Sequence, residues 1–305
     1  MNLAHVRSRF LLALTVTFTA YSTFAKQTLL KTNHDYDFFP AKVSTLANPP
    51  TGSGTQIQDF RNQSRSKSPA PARARSPILV FIHGGAWVGG SAAQYQPLGE
   101  ALSRRGYCVA VLEYRLSLQA PHPAPVADLS AAIEALSNSS LPARSLGPDR
   151  NLNCDVNSIF LVGHSAGAHM IGFWATNHRS AAVKGFIGIE GIYDLPALVK
   201  KWPKYRDQFV SQEFGNENLW AQASPSQLSL QSKAPWLLLH SESDELVDIE
   251  QSISFMTHLK KEKCAVTLKR LSSGLHFEVI KSLEDPNSDA SRAIDTFIAA
   301  QTRIL

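Results

Sequence analysis

The sequence predicts an α/β fold, a mostly parallel, doubly wound sheet with helices packed on both faces. Short continuous apolar runs recur after residue 76, each is followed by a stretch of helical length, and Gly, Ser or Pro clusters separate them. A strand buried on both faces reads as an unbroken hydrophobic run, the habit of parallel sheets. Strand–helix alternation is how parallel neighbours are joined.

In order, PILVFI (77–82) is the first strand, and a helix over 92–105 ends at Gly106. YCVAVLEY (107–114), the helix PVADLSAAIEAL (125–136) and the strand NSIFLV (157–162) follow. AGAHMIGFWATNH then reads as a helix, AVKGFIGIE (182–190) as a strand and 195–212 as helical. The series closes with PWLLLH (235–240), a helix over 249–261, AVTLKRLS (265–272) and a helix near 288–301. The long insertion at 195–234 is placed to cap the carboxyl ends of the strands, where open parallel sheets bind ligands.

The chain has 305 residues, 44 % hydrophobic and 18 % charged, enough for a sizeable core. Its net charge of +5 is unevenly spread. Residues 1–76 hold ten Lys/Arg against three acids, whereas 77–305 hold twenty against twenty-two. A slightly acidic body with no basic stripe excludes a nucleic-acid partner. Cys108, Cys154 and Cys264 are too few and scattered for a zinc site or a disulfide framework. Cys108 reads as a buried small hydrophobe, and a Cys154–Cys264 bridge is open to an exported protein.

Residues 1–25 carry Arg7 and Arg9, then an apolar run from Phe10 to Ala20, then small Thr23 and Ala25. That is the order of a secretory signal cleaved after Ala25, with an organellar presequence as the competing reading. The run is too short for a stable membrane span. Residues 26–76 form a basic arm rich in Ser, Pro and Arg from Pro49 onward; 27–48 could add an edge strand or a lid segment. The catalytic body is expected over 77–305.

GHSAG (163–167) falls where a predicted strand turns into a helix. In an α/β-hydrolase that turn lifts a serine hydroxyl above the sheet, and the flanking glycines avoid collision with neighbouring backbone. Serine needs a base to become a nucleophile, and the chain order in this fold is Ser, acid, His. Asp244 lies four residues beyond the strand 235–240, with Glu242 its nearest competitor; His276 is the sole histidine after the strand 265–272. The expected catalytic residues are therefore Ser165, Asp244 and His276. HGGAW (83–87) follows the first strand, and the N–H groups of Gly84, Gly85 and Ala166 would form an oxyanion hole. His164, His169 and His240 read as structural, as do Tyr114, Arg115 and Asp128. No metal or cofactor is called for by this chemistry.

HGGAW, EYRLS (113–117), GHSAG, EGIYDL (190–195), HSESDEL (240–246) and GLH (274–276) occur in the order seen in kynurenine formamidases, and the chain resembles the yeast and fungal type over about 77–305. The resemblance implies hydrolysis of N-formyl-L-kynurenine to L-kynurenine and formate in tryptophan breakdown. Trp87 and Tyr193 are candidate aromatic walls for the substrate. The alternative is a secreted carboxylesterase of broad specificity, which suits the leader better than a cytosolic formamidase does. A hydrolase fold reused as a receptor would be expected to show a broken triad, and here all three positions are filled. The partner expected is a small molecule, and a homodimer is left open.

Overall fold

A computed structural model describes residues 43–44, 75–138 and 154–302. The sheet has seven strands in the order β1-β3-β2-β4-β5-β6-β7. They are β1 (Val43–Ser44), β2 (Ser76–Ile82), β3 (Cys108–Leu112), β4 (Cys154–His164), β5 (Val183–Ile189), β6 (Trp236–Ser241) and β7 (Val266–Leu271). All neighbours are parallel except β1, which runs antiparallel to β3. The principal helices are α1 (Gln96–Arg104), α2 (Ala124–Asn138), α3 (Ala166–Asn177), α4 (Leu195–Lys201), α5 (Ser211–Phe214), α6 (Glu250–Lys261), α7 (His276–Ser282) and α8 (Asp289–Thr302).

The apolar runs form central strands because both of their faces are covered. Along β2, Ile78, Val80 and Ile82 join one core cluster while Leu79 and Phe81 join the other. Side chains alternate across a strand, so a run without polar breaks needs cover above and below. The first cluster is completed by α2, α3 and α6, through residues such as Leu129, Ile171 and Phe255. The second takes Leu102 of α1, Ile280 of α7 and Ile294 of α8. Each fully buried Leu, Ile or Phe contributes about 2–3 kcal/mol. Pro77 lacks an N–H for the ladder, and the β2–β4 register shifts between Pro77 and Ile78.

Strand order reverses between β2 and β4. The chain steps from β2 to β3 on one side, then returns to β4 and continues to β7 on the other. Ligands bind at such a switch point, outside the carboxyl ends. HGGAW leaves β2 and GHSAG leaves β4 at that place.

Residues 1–25 lie outside the described residues, as does most of 26–76. Of the two readings for 27–48, an edge strand or a lid segment, the first holds for Val43 and Ser44, which pair with Leu112 and Val111 at the edge of the sheet. The helical material expected over 195–212 is present as α4, a single turn over Arg206–Val210 and α5; three short turns follow up to Gln227, and α7, which begins on His276, adds to the expected elements. No described helix is long and apolar enough to cross a membrane.

The cysteine pairing is corrected. Cys108 bonds to Cys154, with Cα atoms 5.8 Å apart, and Cys264 is the buried free thiol. Cys108 opens β3 and Cys154 opens β4, on either side of the same end of β2, so the fold joins residues 46 positions apart. Closing a loop of this length stabilises by about 2–4 kcal/mol. The Cys108→Ser/Cys154→Ser variant is expected to lose that much in denaturant unfolding, whereas Cys264→Ser should leave the contribution of the bridge in place.

Candidate active site

The position of Ser165 is set by backbone crowding. Ser165 has φ 54° and ψ −116°, a conformation that side chains rarely adopt. Such a residue costs about 1–3 kcal/mol and must be held by its surroundings. The Ser165 N–H donates to the carbonyl of Ile189 on β5, and its own carbonyl accepts from Ala168 and His169 as α3 begins. Both flanking glycines are compulsory. A Cβ on Gly163 would lie 2.4 Å from the Gly167 carbonyl oxygen, and one on Gly167 would lie 2.1 Å from that of Ile82. The elbow is packed directly onto itself and onto β2.

The HGGAW loop abuts the serine. A Cβ on Gly84 would stand 3.0 Å from Ser165 Cβ and 2.9 Å from Nδ1 of His164. Gly85 has φ +122°, and its carbonyl accepts from Val88 and Gly89, which bends the loop back on itself. Ala166 is the first residue of α3, and N–H groups of a first helical turn have no intrahelical acceptor. The loop and the helix terminus thus bring Gly84 and Ala166 to one serine, with Gly85 next along the loop.

His276 and Asp244 meet. Nδ1–H of His276 donates to Oδ2 of Asp244 over 2.8 Å. The other oxygen, Oδ1, accepts from the N–H groups of Leu246 and Val247, both at 2.9 Å. Nε2 of His240 stands 3.4 Å from Oδ2. His240 is itself fixed by the Val247 carbonyl at 2.9 Å and the Ser252 hydroxyl at 2.8 Å. Burial opposes the charge on Asp244, but hydrogen bonds from His240 and His276, the His276 charge and the Val247 N–H outweigh it; the carboxyl is held well below the usual range. Glu242, the competing acid, is exposed and pairs with Arg270 at 3.6 Å.

The backbone of His276 is fixed as well. Its N–H donates to Glu245 at 3.0 Å, and its carbonyl accepts from Nε2 of His164 at 3.2 Å. The His164 and His276 rings are 4.7 Å apart, so the residue beside the serine packs on the imidazole. Burial keeps His164 neutral, well below its ordinary pKa. Neither the Ser165 hydroxyl nor Nε2 of His276 has a hydrogen bond to a described residue, which leaves each open to a reacting group.

Trp87 and Tyr193 are corrected. Trp87 is 1 % exposed and packs edge-on against His169 and Phe214; Tyr193 is fully buried, stacked 4.1 Å from Phe255, with its hydroxyl against Gly188 and Gly191. Both are core residues and line no wall. An aromatic ring open to solvent beside His276 is Phe277, exposed and nearly perpendicular to the imidazole at 5.3 Å. Only its position next to His276 could have pointed to it. Tyr114, Arg115 and Asp128 are structural, as expected. Tyr114 donates to the His83 carbonyl, and Arg115 grips Asp128 with Nε and Nη2 at 2.8–3.1 Å. A groove of about 730 Å³ beside His122, Phe173 and Phe214 includes none of Ser165, Asp244 and His276.

His164, Glu190 and His276 offer three ligand-type atoms within 4.8 Å of one another. Nδ1 of His276 is engaged by Asp244 and Nε2 of His164 by a carbonyl, so the group belongs to the imidazole–carboxyl array and not to a cation site.

A family model described as BD-FAE matches residues 67–259, well over half of the chain. The chain belongs to the BD-FAE family. This BD-FAE chain is 27 % identical to a kynurenine formamidase of Meyerozyma guilliermondii over 67 % of its own length and 79 % of the relative's. It is 28 % identical to a probable isoprenylcysteine alpha-carbonyl methylesterase of Oryza sativa subsp. japonica over 74 % of its length, but spans only 57 % of that relative. A crystal structure of an acetyl ester-xyloside bifunctional hydrolase from Caldicellulosiruptor lactoaceticus superposes with a TM-score of 0.59 at 20 % identity, covering 77 % of this chain and 85 % of that one. That likeness shows the α/β-hydrolase fold. The BD-FAE chain is thus a hydrolase of esterase type. Formamidase and methylesterase relatives are equally near, and identity alone does not choose between them.

Proposed function

We propose that this chain is a serine hydrolase that cleaves N-formyl-L-kynurenine to L-kynurenine and formate. The observation that carries the serine chemistry is the 2.8 Å contact from His276 Nδ1 to Asp244, made beside the strained Ser165 elbow at the carboxyl edge of the sheet. The formamidase relative and the order of the motifs support the substrate.

His276, oriented by Asp244, takes the Ser165 proton on Nε2 as Oγ attacks the formyl carbon. The new C–O bond places negative charge on the carbonyl oxygen, which the N–H groups of Gly84, Gly85 and Ala166 stabilise; each such donor is worth about 3 kcal/mol. As the C–N bond breaks, His276 returns the proton to the aryl amine. Water then gives a proton to His276, adds to the formyl-enzyme, and formate leaves as Ser165 regains its hydrogen. Phe277 supplies an aromatic surface for the aryl leaving group. The Phe277→Ala variant is expected to raise KM for aryl substrates several-fold with a smaller change in kcat, measured by initial rates.

A second reading, a secreted carboxylesterase, is favoured by the Cys108–Cys154 bridge. Disulfides persist in oxidising, mostly extracytoplasmic compartments. Rates on N-formyl-L-kynurenine and p-nitrophenyl acetate separate the two. Turnover of the formamide supports the first, and ester turnover with none of the formamide ends it. Labelling by a fluorophosphonate, lost in Ser165→Ala, tests the serine itself; an unreactive protein would fit a receptor.

A further inference from the structure

Glu190 takes no part in the steps above, yet it stands behind the base. It follows the last residue of β5, is fully buried and has φ 48°, the left-handed region. Its Oε2 is 3.7 Å from Nδ1 of His276 and 3.8 Å from Nε2 of His164. Neither carboxyl oxygen has a partner at good hydrogen-bond geometry among the described residues, and only the Ser241 backbone and the Asp244 carboxyl come near enough to act on it as weak partners. A buried carboxyl in that condition is costly, and a charged one far more so. The groups facing it are His164 from β4, His276 from α7, and Ser241, Asp244 and Glu245 from the end of β6 and the loop beyond. His164 is neutral and brings no compensating charge. Burial above all, then the charge on Asp244, pushes the Glu190 carboxyl up to about 10. Near pH 7 the two carboxyls therefore share one negative charge.

We propose, on the basis of the Ser165–His276–Asp244 reading, that Glu190 is a reserve acid for His276, a positioning residue that stays protonated while Asp244 holds the charge and takes over Nδ1 when Asp244 is lost. Closing 3.7 Å to hydrogen-bond length needs a shift of about 1 Å. With the neighbouring charge gone, burial is what still opposes ionisation of Glu190; as the pH rises the proton passes to solvent and the carboxylate accepts Nδ1–H, which offsets part of that cost. The order Ser, acid, His is kept by residues 165, 190 and 276 as well as by 165, 244 and 276.

The test is a double-mutant cycle in kcat/KM, with p-nitrophenyl acetate as probe, on the full chain carrying Glu190→Gln, Asp244→Ala or both. Glu190→Gln is expected to cost a few-fold in the intact protein and at least thirty-fold in the Asp244→Ala background. The remaining activity of Asp244→Ala should rise with pH as Glu190 ionises. Equal rates for Asp244→Ala and the double variant overturn the proposal. A second measurement does not need Asp244→Ala to fold. A carboxyl protonated in the folded chain but ionised in the unfolded chain above about pH 4.3 lowers stability progressively as pH rises. The Tm of Glu190→Gln minus that of the natural protein should therefore grow between pH 5 and pH 9. A difference that stays flat means Glu190 is charged at rest and sinks the idea. Activity that survives Ser165→Ala would defeat the serine reading itself, whereas Ser165-dependent activity without the double-mutant effect defeats only the role of Glu190.

Discussion

Ser165→Ala is expected to lower kcat/KM by about four to six orders of magnitude, because removing the nucleophile of a triad leaves only binding and oxyanion stabilisation. Stability should barely move. The hydroxyl makes no hydrogen bond to a described residue, and alanine inherits the same backbone φ of 54°. Loss of activity with Tm within a degree or two is the signature of a chemical group removed from a scaffold that does not depend on it. Activity retained by a folded variant would remove Ser165 from the mechanism.

The second large effect is on folding. Gly167→Ala places a Cβ 2.1 Å from the Ile82 carbonyl oxygen and 2.8 Å from that of His83. Both are backbone atoms of the central strand and the loop leaving it, so neither can step aside as a side-chain tip would. The expected loss is about 3 kcal/mol or more, at the upper end for overpacking, and a Tm lower by roughly 10 °C. Gly89→Ala is the contrast, since its nearest neighbour would be a carbonyl oxygen at 3.9 Å. That change should stay within about 0.5 kcal/mol. Equal Tm values for the two variants would mean that the elbow is looser than its contacts imply.

The sheet was legible because its strands are buried on both sides, and double burial writes an unbroken apolar run into the chain. β2 and β6 begin within a residue of where the apolar runs place them. The placement of the candidate residues Ser165, Asp244 and His276 was legible for a related reason: each lies a few residues or fewer beyond a strand, so order along the chain translates into position at one edge. What stayed hidden depended on distance across the fold. Glu190 reads as the polar end of an apolar strand, and nothing local shows that His276, 86 positions later, will stand 3.7 Å away. His240 supports Asp244 from the end of the same strand, four residues earlier, but only the bend of the intervening loop makes them neighbours. Trp87 and Tyr193 failed as substrate walls because an aromatic residue near a motif looks the same whether it faces the cleft or the core. The cysteine pairing failed because two strands that flank a third are far apart in sequence and adjacent at their starts.

Four residues other than glycine with left-handed backbone, Ala86, Trp87, Ser165 and Glu190, follow the strands β2, β4 and β5 at the sheet's carboxyl edge. At Trp87 the loss of a buried ring would outweigh any relief, but glycine would relax the backbone at Ser165, so a library selected for heat resistance alone would be drawn toward that position. Its winners would be sturdier and inert, and engineering of this scaffold has to demand turnover in every round.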